Sequence, residues 1–357
     1  MKKIKFISFL FIIFLFSFMI LEIGVRIFFF LSNNDIKALK KYPGRYKESH
    51  FTGYDLQKNF ELNHKSKKEK INNLGFKGPN VSIKKEENTY RILCIGGSLV
   101  YGLEFEDTWP KMLQDLLNNN SNDMKYEVIN ASVPGYTSYH TSTQLLTKLI
   151  DLNPDLIISY QLFTELWYYH NINKNVIVGD SFRPFATSGS RKSWSLNRMM
   201  DNSYLIVFSR AIKRIFKKYS PDNEQLPSNT IREFDKETLK YYKRNMEIIA
   251  LICQNMDINL LLCTPLSLFK KDNTDDEKKY IQDYANLEFY LKYISEGNTI
   301  LKEISKKHRL IEHIDMSKQI TANLKILSDR YHPNIEGNKA ISSVLSKYIE
   351  KKIIIKK

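Results

Sequence analysis

The sequence predicts a three-layer α/β/α domain with a five-stranded parallel sheet, preceded by one N-terminal transmembrane helix. Two patterns carry that expectation. Near the start an apolar run contains almost no charge, and from Tyr90 onward short aliphatic or β-branched runs alternate with longer segments of helical period. A glycine pair directly after the first short run adds a third clue, because open parallel sheets bind ligands at the carboxyl ends of their strands.

The apolar run follows Lys2, Lys3 and Lys5, reads FISFLFIIFLFSFMIL from Phe6 to Leu21, and continues to Leu31. A helix of that length crosses a hydrocarbon core of about 30 Å. The run exceeds the apolar part of a cleaved signal peptide and no small-x-small cleavage site follows it, so an uncleaved signal anchor over 6–31 is expected. The basic end, residues 1–5, then stays cytoplasmic, and the rest of the chain lies outside the cytoplasm as part of a single-pass membrane protein. Glu22 and Arg26 are awkward in lipid, but their spacing lets them pair on one helix face near its outer end.

Residues 32–88 are polar and lysine-rich, broken by Pro43, Gly44, Gly53, Gly75 and Gly78, and read as a linker and lead-in with short extended pieces. The domain itself is expected over 89–357. Its strands are predicted at Arg91–Ile95, Glu127–Ala131, Leu156–Tyr160, Asn259–Thr264 and Leu310–Asp315. Helices are predicted within Trp109–Leu117, Tyr139–Ile150, Lys236–Asn255, Asp276–Lys307 and Ile335–Ile349. An insertion at about 170–233 interrupts this alternation and holds an amphipathic helix around Ser203–Lys218. A lid, a side-packed element and a membrane contact all remain open for it.

The chain has 357 residues and a formal net charge of +15, from 54 basic and 39 acidic side chains. The lysines fall in short interrupted clusters such as Lys65, Lys67, Lys68 and Lys70, with no nucleic-acid module, so no nucleic-acid partner is expected. Next to its own membrane, such a surface would rest on anionic headgroups. Cys94, Cys253 and Cys263 each lie in an apolar segment without metal-ligand spacing. They read as core, and neither a metal nor a cofactor is expected. Nothing in the sequence sets an oligomeric state.

The first strand runs into Gly96-Gly97-Ser98-Leu99-Val100-Tyr101-Gly102. Two glycines permit a sharp turn, which presents Ser98 at the sheet edge beside helix N–H groups suited to an oxyanion. A nucleotide P-loop is excluded because GxxxxGK[ST] is absent, and the G-x-S-x-G elbow fails at Val100. Near the other end lies SDRYHPNIEGNKA, with Asp329 three residues before His332. Pro333 biases His332 away from helical geometry, so the ring projects from a loop before a helix that starts near Asn334. Asp329 is close enough to take one ring N–H, leaving the other nitrogen to accept a proton from a serine.

Four blocks in order resemble the SGNH hydrolases, also called GDSL esterases. They are GGS after the first strand, Val-Ile-Asn-Ala-Ser-Val-Pro-Gly135, Pro154-Asp155-Leu-Ile-Ile, and Asp329-x-x-His332-Pro. Asn73-Leu74-Gly75-Phe76-Lys77-Gly78 resembles a lead-in of membrane-anchored members that carry GGS in place of GDS. The resemblance spans roughly Tyr54 to the C-terminus and implies Ser98 as nucleophile, His332 as general base and then acid, and Asp329 as the residue that orients the ring. It also implies an oxyanion hole made by the N–H groups of Ser98 and Gly135 and by an Asn side chain after the third strand. At that place this sequence has Leu162-Phe163-Thr164-Glu165, so Thr164 stands in the Asn position.

The function expected is that of a serine carboxylic ester hydrolase, removing an O-acyl group such as acetyl from a cell-envelope or extracellular glycan through an acyl-enzyme. An O-acyltransferase would use the same three residues. A non-catalytic envelope-binding module is the reading from a different class, favoured by Thr164 and Leu162. Ser132, Thr137 and Ser138 flank Gly135 as cleft or turn residues, and Trp167-Tyr168-Tyr169 offers rings to a sugar or to the core. His140, His170, His308 and His313 read as structural or surface histidines.

Overall fold

A computed structural model describes residues 2–32, 45–64, 67–102, 106–121, 124–169, 202–217, 236–281 and 287–356, together with Ile36, Met200 and Phe234. Five strands, β5 (Thr89–Ile95), β6 (Lys125–Asn130), β7 (Leu156–Tyr160), β8 (Asn259–Thr264) and β9 (Ile311–Asp315), form one parallel sheet in the order β6-β5-β7-β8-β9. Every residue of β7 is buried and only the first residue of β8 is not, as expected for strands covered on both faces. The edge strands β6 and β9 carry Lys125, Glu127, Glu312 and His313 among their apolar residues, which suits strands with one free side.

Helices α3 (Trp109–Asn119) and α10 (Ile335–Lys356) pack together on one side of the sheet, and α3 covers β6. A second group, α4 (Ser138–Gln144), α7 (Lys240–Asn255) and α9 (Leu287–Lys307), covers β8 and β9. The architecture is therefore a three-layer α/β/α domain. After β5 the chain steps to one neighbour, β6, and then crosses to the other, β7. The reversal opens a crevice beyond the carboxyl ends of β5 and β7.

The helix predicted through Ile150 is instead α helix only to Gln144, followed by a π turn at Leu145–Leu149 and a 3₁₀ turn at Ile150–Leu152. The wider turn carries Lys148, whose Nζ reaches Asp55 Oδ2 at 3.1 Å and lies 4.3 Å from the Phe76 ring centroid. The helix predicted over Asp276–Lys307 is described as two pieces, α8 (Asp275–Ile281) and α9, with 282–286 outside the described residues.

Much of the stretch read as a linker is packed. It contains two antiparallel hairpins, β1 (Tyr46–Ser49) with β2 (Gly53–Leu56) and β3 (Glu61–His64) with β4 (Lys67–Lys70). Tyr54, Leu56 and Ile71 are fully buried and cluster with Tyr101, Val133 and Tyr136. The alternation in these strands is too short, and too diluted by lysine, to show in the sequence.

Arg91 at the start of β5 is 1% exposed and ties the lower end of the sheet together. Its Nε donates to Glu127 Oε2 at 2.5 Å, and its terminal nitrogens donate to the carbonyls of Ser82, Ile83 and Leu152. Methionine fills similar volume but leaves three carbonyls and a carboxylate without their donor. Arg91→Met is therefore expected to cost about 3–5 kcal/mol in urea unfolding, with the dependence on denaturant unchanged.

Helix α1 (Lys2–Leu31) contains 27 residues, Lys5–Leu31, long and apolar enough to cross a membrane. Its C-terminal part packs against α6 (Tyr204–Lys217), within one residue at each end of the amphipathic helix predicted at 203–218.

Candidate functional site

The crevice is lined by the turns that follow β5, β6 and β7. Gly96 ends the first with φ +149°, and a Cβ there would lie 2.7 Å from the Tyr160 carbonyl oxygen of β7. Only glycine meets both demands. A Cβ at Gly97 would be tight, 3.0 Å from Thr164 Oγ1 and 3.1 Å from the Tyr136 carbonyl oxygen. The turn after the nucleophile strand is thus wedged between the other two, which brings Ser98, Gly135 and Thr164 to one place.

Ser98 opens the short helix α2 (Ser98–Tyr101), which ends at Gly102 in the left-handed conformation. Its Oγ lies 2.7 Å from His332 Nε2, although 234 residues separate them in sequence. His332 Nδ1 lies 2.6 Å from Asp329 Oδ2, while Asp329 Oδ1 accepts from the amides of Tyr331 at 2.9 Å and His332 at 2.8 Å. The carboxylate therefore shapes its own loop as well as the ring. Burial raises the Asp329 carboxyl, but the hydrogen bonds and charge of His332 and the two amides outweigh it and hold the group below its usual range.

The loop is fixed from outside as well. Ser328 N donates to His332 O, Leu268 N donates to Arg330 O, and Tyr331 stacks on Phe163 with centroids 4.8 Å apart. Phe163 directly precedes Thr164, so one ring pair sets the histidine loop against the turn after β7. Asn334 caps α10 by accepting from Gly337 N at 3.1 Å.

Ser98, Gly135 and Thr164 are each half-buried between neighbours that are buried on both sides, so the crevice meets solvent at these three residues. Gly135 has φ +83°, and among the described residues neither its amide nor that of Ser98 has an acceptor within the chain. The loop is held by Val133 N to Gly96 O, by Tyr54 Oη to the Pro134 carbonyl at 3.0 Å, and by Tyr136 Oη to the Tyr54 carbonyl at 2.8 Å. Asn130 joins it to the nucleophile helix through Nδ2 to the Val100 carbonyl at 2.9 Å.

Several of these supports were not legible. Tyr54 and Tyr136 grip the Gly135 loop, Lys77 Nζ donates to Gly102 O at 2.6 Å below α2, and Glu165 accepts from Ser138 N at 2.5 Å. The lead-in block and the acidic residue after Thr164 were the available signals. Ser132, Thr137 and Ser138 take turn and cap roles: Ser132 Oγ donates to Asn130, Thr137 caps α4 with His140, and Ser138 Oγ accepts from Asn245. His313 contacts Thr264, whereas His170 and the side chains of Trp167, Tyr168 and Tyr169 lie outside the described residues. Burial pushes the thiols of Cys94, Cys253 and Cys263 up, which leaves them unreactive. Among the described residues no three His, Cys, Asp or Glu side chains converge as a metal site.

His140 is fully buried, stacked on Tyr136, and accepts from Thr137 N at 3.0 Å. Burial lowers its pKa from 6.5 to about 3. Because the folded value lies below the unfolded one, this contribution is complete above about pH 6.5 and is lost as pH falls toward 3. Glutamine at the same place keeps the capping box without titrating. His140→Gln is therefore expected to flatten the acid limb of stability by up to about 1.4 kcal/mol per pH unit, read from urea midpoints at several pH values.

No protein-family model and no curated protein matches the sequence. Among solved structures the chain is similar to a GDSL-like lipase from Bacteroides thetaiotaomicron, at 13% identity over 76% of this chain and 93% of that one, with a TM-score of 0.43. It is also similar to a variant of an acetyl xylan esterase from Geobacillus stearothermophilus, at 14% identity over 71% and 91% of the two chains with a TM-score of 0.40. A third likeness, to the acetyl xylan esterase AlAXEase, has 14% identity over 72% and 99% with a TM-score of 0.43. Likenesses of this size carry no conclusion about activity, which rests on the side-chain geometry.

Proposed function

We propose that the protein is a membrane-anchored serine esterase of the SGNH type, with Ser98 as nucleophile, His332 as general base and acid, and Asp329 as the group that holds the ring. One observation carries the reading: a serine oxygen, an imidazole and a carboxylate in series at 2.7 and 2.6 Å, at the open end of the crevice. Ser98 Oγ attacks the ester carbonyl carbon while its proton passes to His332 Nε2. Asp329 stabilises the imidazolium so formed. The negative oxygen of the tetrahedral intermediate is met by the amides of Ser98 and Gly135, with the Thr164 hydroxyl as a third donor. His332 then gives the proton to the departing alkoxide, leaving an acyl-enzyme that water hydrolyses by the same route.

The lysines that precede the apolar helix support a domain outside the cytoplasm, and that location favours an O-acylated envelope or extracellular glycan as substrate and acetyl as a candidate acyl group. The test is labelling of the full-length protein with a fluorophosphonate, mapped by mass spectrometry. Modification confined to Ser98 and dependent on His332 supports the reading, after which acetate release and transfer to added glycan acceptors separate hydrolase from acyltransferase. No labelling of a folded protein favours the non-catalytic envelope-binding module instead.

A further inference from the structure

Outside the crevice, a densely hydrogen-bonded contact between distant segments joins the anchor helix to the insertion. Glu22 of α1 receives the N-terminus of α6 as a cap: Ser203 Oγ donates to Oε2 at 2.7 Å, Tyr204 N to Oε1 at 2.9 Å and Leu205 N to Oε2 at 2.9 Å. Arg26 completes the joint. Its Nε donates to Glu22 Oε1 at 2.8 Å, its NH2 donates to the Asn202 carbonyl at 3.0 Å, and its guanidinium lies 4.5 Å from the Tyr204 ring centroid. The expected pair does form, but its carboxylate also caps a helix some 180 residues away. A carboxylate with an arginine and three further donors can sit at a membrane boundary where a bare one cannot.

One turn further out, Phe29 meets Tyr204 and Phe208 edge-on with centroids 6.1 and 5.9 Å apart, and Val207 is buried with them. Residues 204, 207, 208 and 211 thus form the stripe of α6 turned to the anchor, and Tyr204 and Phe208 are only partly covered. The helical register puts Leu205 and Ile212 beside that stripe, and Ile212 is 37% exposed. Positions 210, 213, 214 and 217, all lysine or arginine, fall on the opposite flank, and the helix contains no acidic residue. An apolar face wider than the anchor can cover, joined to a flank where four cationic positions surround Ile206, is the pattern of a helix lying in the membrane interface.

From this geometry we infer that α6 lies in the outer boundary of the anionic leaflet that α1 crosses, its free apolar edge among acyl chains and its basic flank on lipid phosphates. The inference rests on the membrane-spanning reading of α1. Continuity with that helix and charge complementarity select lipid as the occupant. Glu22 sits about five turns along α1 from its start, close to where a span of about 30 Å that begins near Phe6 would end. The insertion is then a second membrane contact that restrains the domain on its single anchor.

The test uses the full-length protein in lipid nanodiscs containing phosphatidylglycerol, with an environment-sensitive fluorophore on a cysteine at one position at a time. The native cysteines are buried and leave labelling to the new site. Ile212→Cys reports on α6, Leu15→Cys on the middle of the anchor, and Lys306→Cys on the far end of α9. Quenching at 212 by lipids spin-labelled near the headgroup is expected to exceed that at 306 by about two-fold or more. Reversing the flank with Lys213→Glu, Arg214→Glu and Lys217→Glu together should cut the signal at 212 by about half, as should phosphatidylcholine alone.

Deep-lipid quenching at 15 with only iodide quenching at 212 would overturn the inference while leaving the span intact. Shielding of 212 from both iodide and lipid would assign its apolar edge to protein and overturn it as well, and so would indifference to charge reversal. Iodide quenching at 15 would overturn the spanning reading and this inference with it.

Discussion

Ser98→Ala is expected to remove all fluorophosphonate labelling, and to lower turnover of any ester the natural protein cleaves by about 10⁵–10⁶. His332→Ala should slow phosphonylation of Ser98 by about 10⁴ or more, because the hydroxyl then loses the base 2.7 Å away. Asp329→Asn tests a different step. It preserves the amide bonds to Tyr331 and His332 on one oxygen but replaces the atom facing His332 Nδ1 by one that no longer carries charge. A loss of about 10³–10⁴ in labelling rate with unchanged thermal midpoint is the expected result. Equal labelling of natural protein and His332→Ala would show that the 2.7 Å contact is only structural.

Thr164 carries the second large effect. Its Oγ1 lies against Gly97, on the side where an oxyanion formed by attack of Ser98 is expected to develop. Thr164→Val keeps the shape and removes only the hydroxyl, so kcat/KM is expected to fall by about 10² with stability little changed. Thr164→Asn supplies a fixed amide donor and should raise turnover if the shorter hydroxyl limits the natural protein. Activity that appears only in the Asn variant would show that the natural chain binds without turning over. An unchanged valine variant would remove Thr164 from the oxyanion hole and leave the two amides.

Glu165 belongs to the same turn but has a different task. It is 1% exposed and holds Ser138 N at the start of α4, so the residue after Thr164 ties the turn after β7 to the one after β6. The two residues look alike in sequence as short polar substitutions after a strand. Only their placement separates a group that faces the crevice from one that braces it.

Periodicity made the sheet legible because buried parallel strands read as unbroken aliphatic runs; Leu156–Tyr160 and Asn259–Thr264 match the structure at both ends. Edge strands shifted by a residue or two, since in β6 and β9 polar residues interrupt the aliphatic run that marks a buried strand. The π turn at Leu145–Leu149 was invisible, because it places Lys148 toward Asp55 and Phe76, partners about 90 and 70 residues away. The lead-in hairpins escaped for the same reason: each strand has four residues, too few to show a period, and the buried faces find their partners on α2 and the Gly135 loop.

By itself the sequence singled out Ser98, Asp329 and His332 as the candidate reactive groups and located the strands of the sheet, because residue type, strand ends and the Asp329-to-His332 spacing are local properties. Tertiary structure alone decided that Ser98 meets His332 across 234 residues, that Thr164 rather than Glu165 faces the nucleophile turn, and that Glu22 caps the insertion helix. These depend on where the sheet order reverses and on which loops pack against one another, and such long-range contacts leave no period or spacing in the chain.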